Sequence, residues 1–153
     1  MKVGALSDSH DDLCDWAEVL PKIEAAFAGV DLILHCGDIS RLQAIDDLER
    51  IAPVRATRSD GDPPAEPPRL SDGPTVVDAG GTAVLLAFQR PENEQVPDGV
   101  GVVVFGGTHA AAIESDGGVL WVNPGSPSLS KATSVAVLTL GDGRPATAEI
   151  IPL

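Results

Sequence analysis

Three short groups of residues carry the donors from which a metal site can be built. Asp8-Ser9-His10, Gly37-Asp38 and Gly106-Gly107-Thr108-His109 each stand where a hydrophobic run stops, which is where the strands of a layered fold present residues to a ligand. Asp8 and His10 are two apart on an extended segment, so both can turn to one side and offer an oxygen and a nitrogen. Asp38 follows a glycine that lets backbone approach a ligand closely, and a carboxylate there can bridge two cations. Each group also has a plainer use. Ser9 or Asp11 could cap a following helix beside an exposed His10, and Asp38 could be a strand-end aspartate in a turn. His35 lies on an apolar run and reads as a satisfied core histidine, with a role behind the ligands as the alternative.

The elements that must position these groups follow from hydrophobic spacing. Val3 to Leu6 reads as a strand, after which Trp16, Val19, Leu20, Ile23 and Phe27 recur at helical spacing up to Gly29. Val30 to Cys36 reads as a buried strand. Leu42, Ile45, Leu48 and Ile51 mark a second helix, capped by Ser40 and stopped before Pro53, and Val54 to Thr57 resumes as a third strand. This alternation predicts crossover connections and a parallel sheet core. The segment from Ser59 to Pro74, dense in Pro, Gly and Asp, reads as a long surface loop. Beyond it, Thr75 to Val77, Ala83 to Phe88, Val100 to Phe105, Val119 to Val122, Ser134 to Leu140 and Ala146 to Ile151 are strand candidates. The expected architecture is α/β, a four-layer αββα sandwich of two mixed sheets flanked by helices, forming one domain over residues 1–153.

Composition narrows the function classes. At 153 residues and 43% hydrophobic, the chain can bury one sizeable core. No apolar run approaches the roughly 20 residues that span a bilayer, and a strand pattern begins at Lys2, so the expectation is a soluble protein with no targeting segment and no membrane partner. Cys14 and Cys36 are too few for a disulfide framework and lack metal-ligand spacing, which suits free thiols in the cytoplasm. The formal charge is −13, with 23 acidic against 10 basic residues. A field of that sign repels polyphosphate backbones and argues against nucleic-acid binding; an anionic substrate would need local neutralisation by metal or arginine. The acidic, lysine-poor balance resembles proteins of salt-loving organisms, with an ordinary acidic cytosolic protein as the alternative.

Taken together and in this order, the blocks resemble the ligand blocks of the calcineurin-like metallophosphoesterases. The resemblance runs from Lys2 to about Ser126 and is to the small single-domain bacterial and archaeal phosphodiesterases, whose domain also resembles the phosphoesterase-fold subunit of the eukaryotic retromer. It implies that Asp8, His10, Asp38 and His109 are metal ligands. Arg58-Ser59-Asp60-Gly61-Asp62 stands where the family has a glycine, an asparagine ligand, a variable residue and an aspartate. Asp60 thereby takes the asparagine's place as a further ligand, Arg58 is positioned to offset the added charge and act in catalysis with Asp38, and Asp62 is expected to tether the loop. Two family histidines are replaced, one by Phe88 and one by Gly107; Gln89, Arg90, Glu92 and Asn93 are the polar residues near the first. Asn123-Pro124-Gly125-Ser126 matches a turn that supports the site. The implied activity is a metal-dependent phosphoesterase, of phosphodiesterase type, using metal-activated hydroxide at a partly degenerate two-metal site. One ion is expected rather than two, with Mn²⁺ first and Fe, Zn²⁺ or Ni²⁺ as alternatives. The partner would be a small phosphoester, with a homo-oligomer or a protein partner left open. The rival reading is a weakly active or inactive phosphoesterase-fold protein that serves as a binding or scaffold module.

Overall fold

Apolar residues on both faces of the first strands place them at the centre of the molecule. A computed structural model of the protein describes residues 1–153. In β1 (Lys2–Leu6) and β2 (Leu32–His35), Val3, Ala5, Leu32 and Leu34 face one core, while Leu6 and Ile33 face another. Strands covered on both sides need such continuous apolar runs. α1 (Trp16–Ala26) and α2 (Leu42–Leu48) supply the second core with Val19, Ile23, Ala44, Ile45 and Leu48, joined by Phe27 just past α1. Phe27 lies on Gly4, where a β-carbon would come 2.9 Å from the ring. The two helices are also linked by Trp16 Nε1, which donates to Asp47 Oδ2 at 3.1 Å.

The remaining strands are β3 (Val54–Thr57), β4 (Leu70–Ser71), β5 (Thr75–Ala79), β6 (Thr82–Ala87), β7 (Val100–Phe105), β8 (Ala112–Asp116), β9 (Val119–Asn123), β10 (Ser134–Thr139) and β11 (Thr147–Pro152). They form two mixed sheets, β11-β10-β1-β2-β3-β4 and β5-β6-β7-β9-β8. β1 to β4 run parallel, as do β6, β7 and β9; the outer strands β10, β11, β5 and β8 add antiparallel. Val84, Leu86, Val102, Val104 and Val122 from the second sheet meet the inner face of the first. The stacked mixed sheets of the α/β expectation are therefore present, with both α-helices on the first sheet. The outer face of the second sheet is covered by Val96, at the end of a 3₁₀ turn (Asn93–Gln95), and by the Arg90 guanidinium 4.5 Å from the centre of the Trp121 ring.

Three local expectations need correction. The Ser59 to Pro74 loop contains β4, because fully buried Leu70 packs beside Ala56 and the backbone there bonds to β3. β8 was not anticipated: it is mostly exposed, so it shows no alternating apolar face, and it forms by pairing with β9 across Gly117 and Gly118. Ser40 does not cap α2; Arg41 stands at that position, and Ser40 gives its amide to Asp62 Oδ1. No helix is long and apolar enough to cross a membrane.

Candidate metal centre

Loops at the ends of β1, β2 and β7 bring four donors to one point. Asp8 N–H to Gly37 O (2.9 Å) and His10 N–H to Asp38 O (3.0 Å) carry the β1/β2 pairing beyond both strand ends. Asp8, His10, Asp38 and His109 have φ of 53°, 42°, 53° and 59°, and only Ser40 and Asp142 join them among non-glycine residues with positive φ. Such conformations cost of order 1–3 kcal/mol each and cluster where surrounding structure holds a functional geometry. Here they turn four side chains inward, so that one ligand atom from each lies within 4.8 Å of all the others.

The charges at this point are arranged for a cation. Asp8 is fully buried; its Oδ2 accepts the Gly107 N–H at 3.0 Å, while Oδ1 has no hydrogen bond and lies 3.4 Å from His109 Nε2. Burial holds the Asp8 carboxyl above the usual range and the Asp38 charge adds to this, opposed by the Gly107 amide and His109. His10 Nε2 lies 3.4 Å from Asp38 Oδ2, and the two imidazole centres are 5.5 Å apart. His109 Nδ1 faces Leu129 O at 3.3 Å, an arrangement that leaves Nε2 as the donor toward the centre. Two carboxylates and two imidazoles fit Mn²⁺, Fe or Zn²⁺, and such an ion would satisfy the unbonded buried oxygen of Asp8.

Surrounding polar groups hold the ligands in place. Ser126 Oγ donates to Asp8 O (2.8 Å) and accepts the Leu129 N–H (2.9 Å), while Ser128 Oγ donates to Ser9 O (2.6 Å). Asn123 Nδ2 donates to Thr108 Oγ1 (2.9 Å), and Asn123 Oδ1 accepts the Gly125 N–H. Behind the site, buried His35 accepts the Gly37 N–H at Nδ1 and meets Ser9 Oγ through Nε2 at 2.9 Å. The Gly37 contact assigns the ring proton to Nε2, and burial pushes the imidazole pKa down to about 4. Asp62 Oδ1 accepts the amides of Ile39 and Ser40, and its Oδ2 accepts that of Ser59. One carboxylate thus pins the Asp38 loop to the Ser59 loop.

A cleft of about 580 Å³ opens beside Asp38, lined among others by Ser59, Asp60, Phe88, Gln89 and Arg90. The expected site residues are distributed unequally around it. Asp8, His10, Asp38 and His109 are brought together, whereas Asp60 is exposed on the cleft wall outside that group. Arg58 also lines the cleft, and its guanidinium donates to Pro63 O, Asp62 O and Asp72 Oδ1, at 2.9, 3.0 and 2.9 Å, which braces the loop. Arg41 is held by Asp11, its Nε 2.8 Å from Oδ2. Phe88 lays its ring near Gly37, and Gly107 contributes its amide to Asp8. Ser59 was missed: its hydroxyl donates to Asp38 Oδ1 at 2.5 Å. Its adjacency to the Asp60 position was the only signal in the chain.

Known proteins resemble this chain in sequence and in architecture. The family model described as a calcineurin-like phosphoesterase superfamily domain matches residues 1–143. The probable metallophosphoesterase MJ0623 of Methanocaldococcus jannaschii is 30% identical over 165 residues, covering 100% of this chain and 82% of that protein. Among solved structures, a novel archaeal phosphodiesterase superposes with a TM-score of 0.78 at 23% identity, with 100% of both chains covered. Vps29 of Chaetomium thermophilum superposes with a TM-score of 0.73 at 16% identity, covering 100% of this chain and 97% of that one. These two similarities speak to the fold.

Proposed function

The chain belongs to the calcineurin-like phosphoesterase superfamily, and on that premise we propose that it is a metal-dependent phosphoesterase acting on a small phosphodiester, with Asp8, His10, Asp38 and His109 holding one divalent ion. The observation that carries this reading is the buried Asp8 Oδ1, which has no hydrogen bond and shares a focus with two imidazoles and Asp38. Mn²⁺ is the first choice, because hard carboxylate oxygens and imidazoles both suit it. When bound, the ion would supply activated water and polarise a phosphoryl oxygen. The protein's own part is positioning. Asp38 stands between the donor group and the cleft, so an ester lying in the cleft would present phosphorus at the ligands. Arg58 contributes by holding the cleft loop, and Asp60 is an exposed carboxylate on the cleft wall, available for contact with substrate or a cation. Free thiols at Cys14 and Cys36 suit work in the cytoplasm.

A scaffold role is the second reading, favoured by Leu13 and Leu129. These side chains are 64% and 37% exposed, on two segments tied together by Ser128 Oγ and Ser9 O beside His109. A protein partner or a second copy would cover them. Hydrolysis of a chromogenic phosphodiester and its monoester separates the two. Metal-stripped protein given Mn²⁺ should turn over the diester, and Asp38→Ala should abolish both bound metal and turnover. Unchanged turnover in Asp38→Ala would sink the mechanism; inactivity of folded wild type in low and molar KCl would favour the scaffold.

A further inference from the structure

We infer that Gln89 is the cleft's hydrogen-bond donor to the substrate, its amide N–H bonding a phosphoryl oxygen of the ester from beside Gly107. The inference rests on the phosphoesterase reading and adds the residue that holds the ester at the ligands, and with it the kind of leaving group the site suits. A β-carbon on Gly107 would lie 3.6 Å from Gln89 Cγ and 3.8 Å from Phe88 Cζ, so these two side chains flank the space that a side chain at 107 would enter. The Gly106 N–H donates to Phe88 O at 3.0 Å, which keeps the two segments side by side, and the Gly107 N–H donates to Asp8 Oδ2. Gln89 is thus the neighbour of a residue that touches the four-donor group, on the cleft that Asp38 also lines. Its side chain is exposed, so the amide can swing over the glycine toward Asp38.

The other donors of the cleft are engaged. Thr57 Oγ1 donates to Gly73 O, Ser59 Oγ to Asp38 Oδ1, and the Arg58 guanidinium to the loop it braces. Arg90 pairs with Glu114 and lies over Trp121, on the outer face of the second sheet. Gln95 is folded back, its Oε1 accepting the Glu92 N–H. Among these donors only Gln89 has a side-chain head with no hydrogen bond inside the protein. In a chain of formal charge −13, an anionic ester needs such a donor beside the ion.

An amide donates a hydrogen bond but gives up no proton. No histidine, cysteine or lysine lines the cleft, its guanidinium groups stay charged, and the carboxylates of Asp38 and Asp60 accept. The nearby imidazoles of His10 and His109 belong to the donor group. Hydrolysis forms a P–O bond to the oxygen of water and breaks the P–O bond to the leaving group, whose oxygen keeps the electron pair while the protons of water pass to solvent. With no side chain to protonate that oxygen, the site suits diesters whose leaving group is acidic enough to depart as an anion.

Broadening of the phosphorus NMR line of dimethyl phosphate, a diester too slow to hydrolyse during the measurement, reads binding to Mn²⁺-loaded protein without turnover. Gln89→Ala should weaken that binding about 10-fold, as for loss of one hydrogen bond to a charged group. Gln89→Glu, which sets an acceptor in place of the donor, should weaken it further, and Mn²⁺ affinity should stay as in wild type in both. In kinetics, kcat/KM of wild type for p-nitrophenyl methyl phosphate should exceed that for phenyl methyl phosphate on the order of 100-fold, a gap that a positioned acid would otherwise close. Gln89→Ala should slow both esters alike. Dimethyl phosphate binding that is absent from Mn²⁺-loaded wild type, unchanged in both variants, or lost together with Mn²⁺ would overturn the inference and leave the phosphoesterase reading standing. Similar rates on the two aryl esters, or a loss in Gln89→Ala confined to the phenyl ester, would overturn it as well. Wild type that binds no Mn²⁺, or hydrolyses neither ester, would remove the phosphoesterase reading and this inference with it.

Discussion

Side chains converge on Asp8 only because the residues around it leave room and supply donors. Gly106 has no such freedom to change: a β-carbon there would fall inside the Ser7 side chain and 2.9 Å from Asp8 Oδ2. Gly106→Ala should cost about 3 kcal/mol through overpacking, and should weaken Mn²⁺ binding as Asp8 is displaced. Urea unfolding and metal titration check both parts. His35 makes a different prediction, through pH. Its folded pKa of about 4 lies below the ordinary 6.5, so the unfolded chain takes up this proton first on acidification. The His35 contribution is therefore intact above pH 6.5, falls as pH drops toward 4 and then levels, amounting to about 3 kcal/mol in full. His35→Asn keeps a short acceptor for the Gly37 amide and should flatten this part of the profile. Urea unfolding of both proteins at pH 7 and pH 4.5 would show it, and equal losses in the two would refute the assignment.

At the scale of elements, the turn after β9 is what ties the late chain to the first loop. Ser126 bonds Asp8 O and the Leu129 amide, and Leu129 O in turn faces His109 Nδ1. Ser126→Ala leaves those buried groups without their partner, so it should cost about 2 kcal/mol and lower Mn²⁺ affinity on the order of 10-fold. A calorimetric titration beside a thermal melt would separate the two effects; unchanged affinity would mean that the turn does not orient the ligands. The supporting role of this turn was legible from its match to a known block. The bonds that perform it were not, because Ser126 and Asp8 are 118 residues apart. The same distinction applies to strands. β7 announced itself through Val100 to Phe105, whereas β8 offers Ala112 to Asp116 with most side chains in solvent, and only its pairing with β9 makes it a strand.

For the whole molecule, the formal charge of −13 sets the response to salt. Self-repulsion among exposed carboxylates opposes the folded state and is screened by ions. Raising KCl from 0.1 M to about 2 M should increase Tm by roughly 5 °C, near 1–2 kcal/mol for a chain of this size. A variant with several exposed aspartates changed to lysine should show less of the gain. A Tm that ignores KCl would rule out charge repulsion as a large term. The Arg69 guanidinium shows how little of the excess is neutralised locally, since it serves Asp46, Glu49 and Glu66 at once.

The amino-acid sequence by itself determined the strand and helix order of the first half, most strands of the second, the family and the four donors at strand ends. Those features depend on short-range periodicity and on residue types whose chemistry is their own: Asp8 and His10 are two apart in any structure, and Val100 to Phe105 is apolar enough to be a strand wherever it packs. Tertiary structure decided which polar residues could act. It spent Arg58 on Pro63, Asp62 and Asp72, set Asp60 in solvent, and placed the Ser59 hydroxyl on Asp38 across 21 residues. A loop's path is set by its anchors elsewhere in the chain, here β4 against β3 and Asp62 beneath Ile39, so the direction of each loop side chain emerges only when the sheets are assembled.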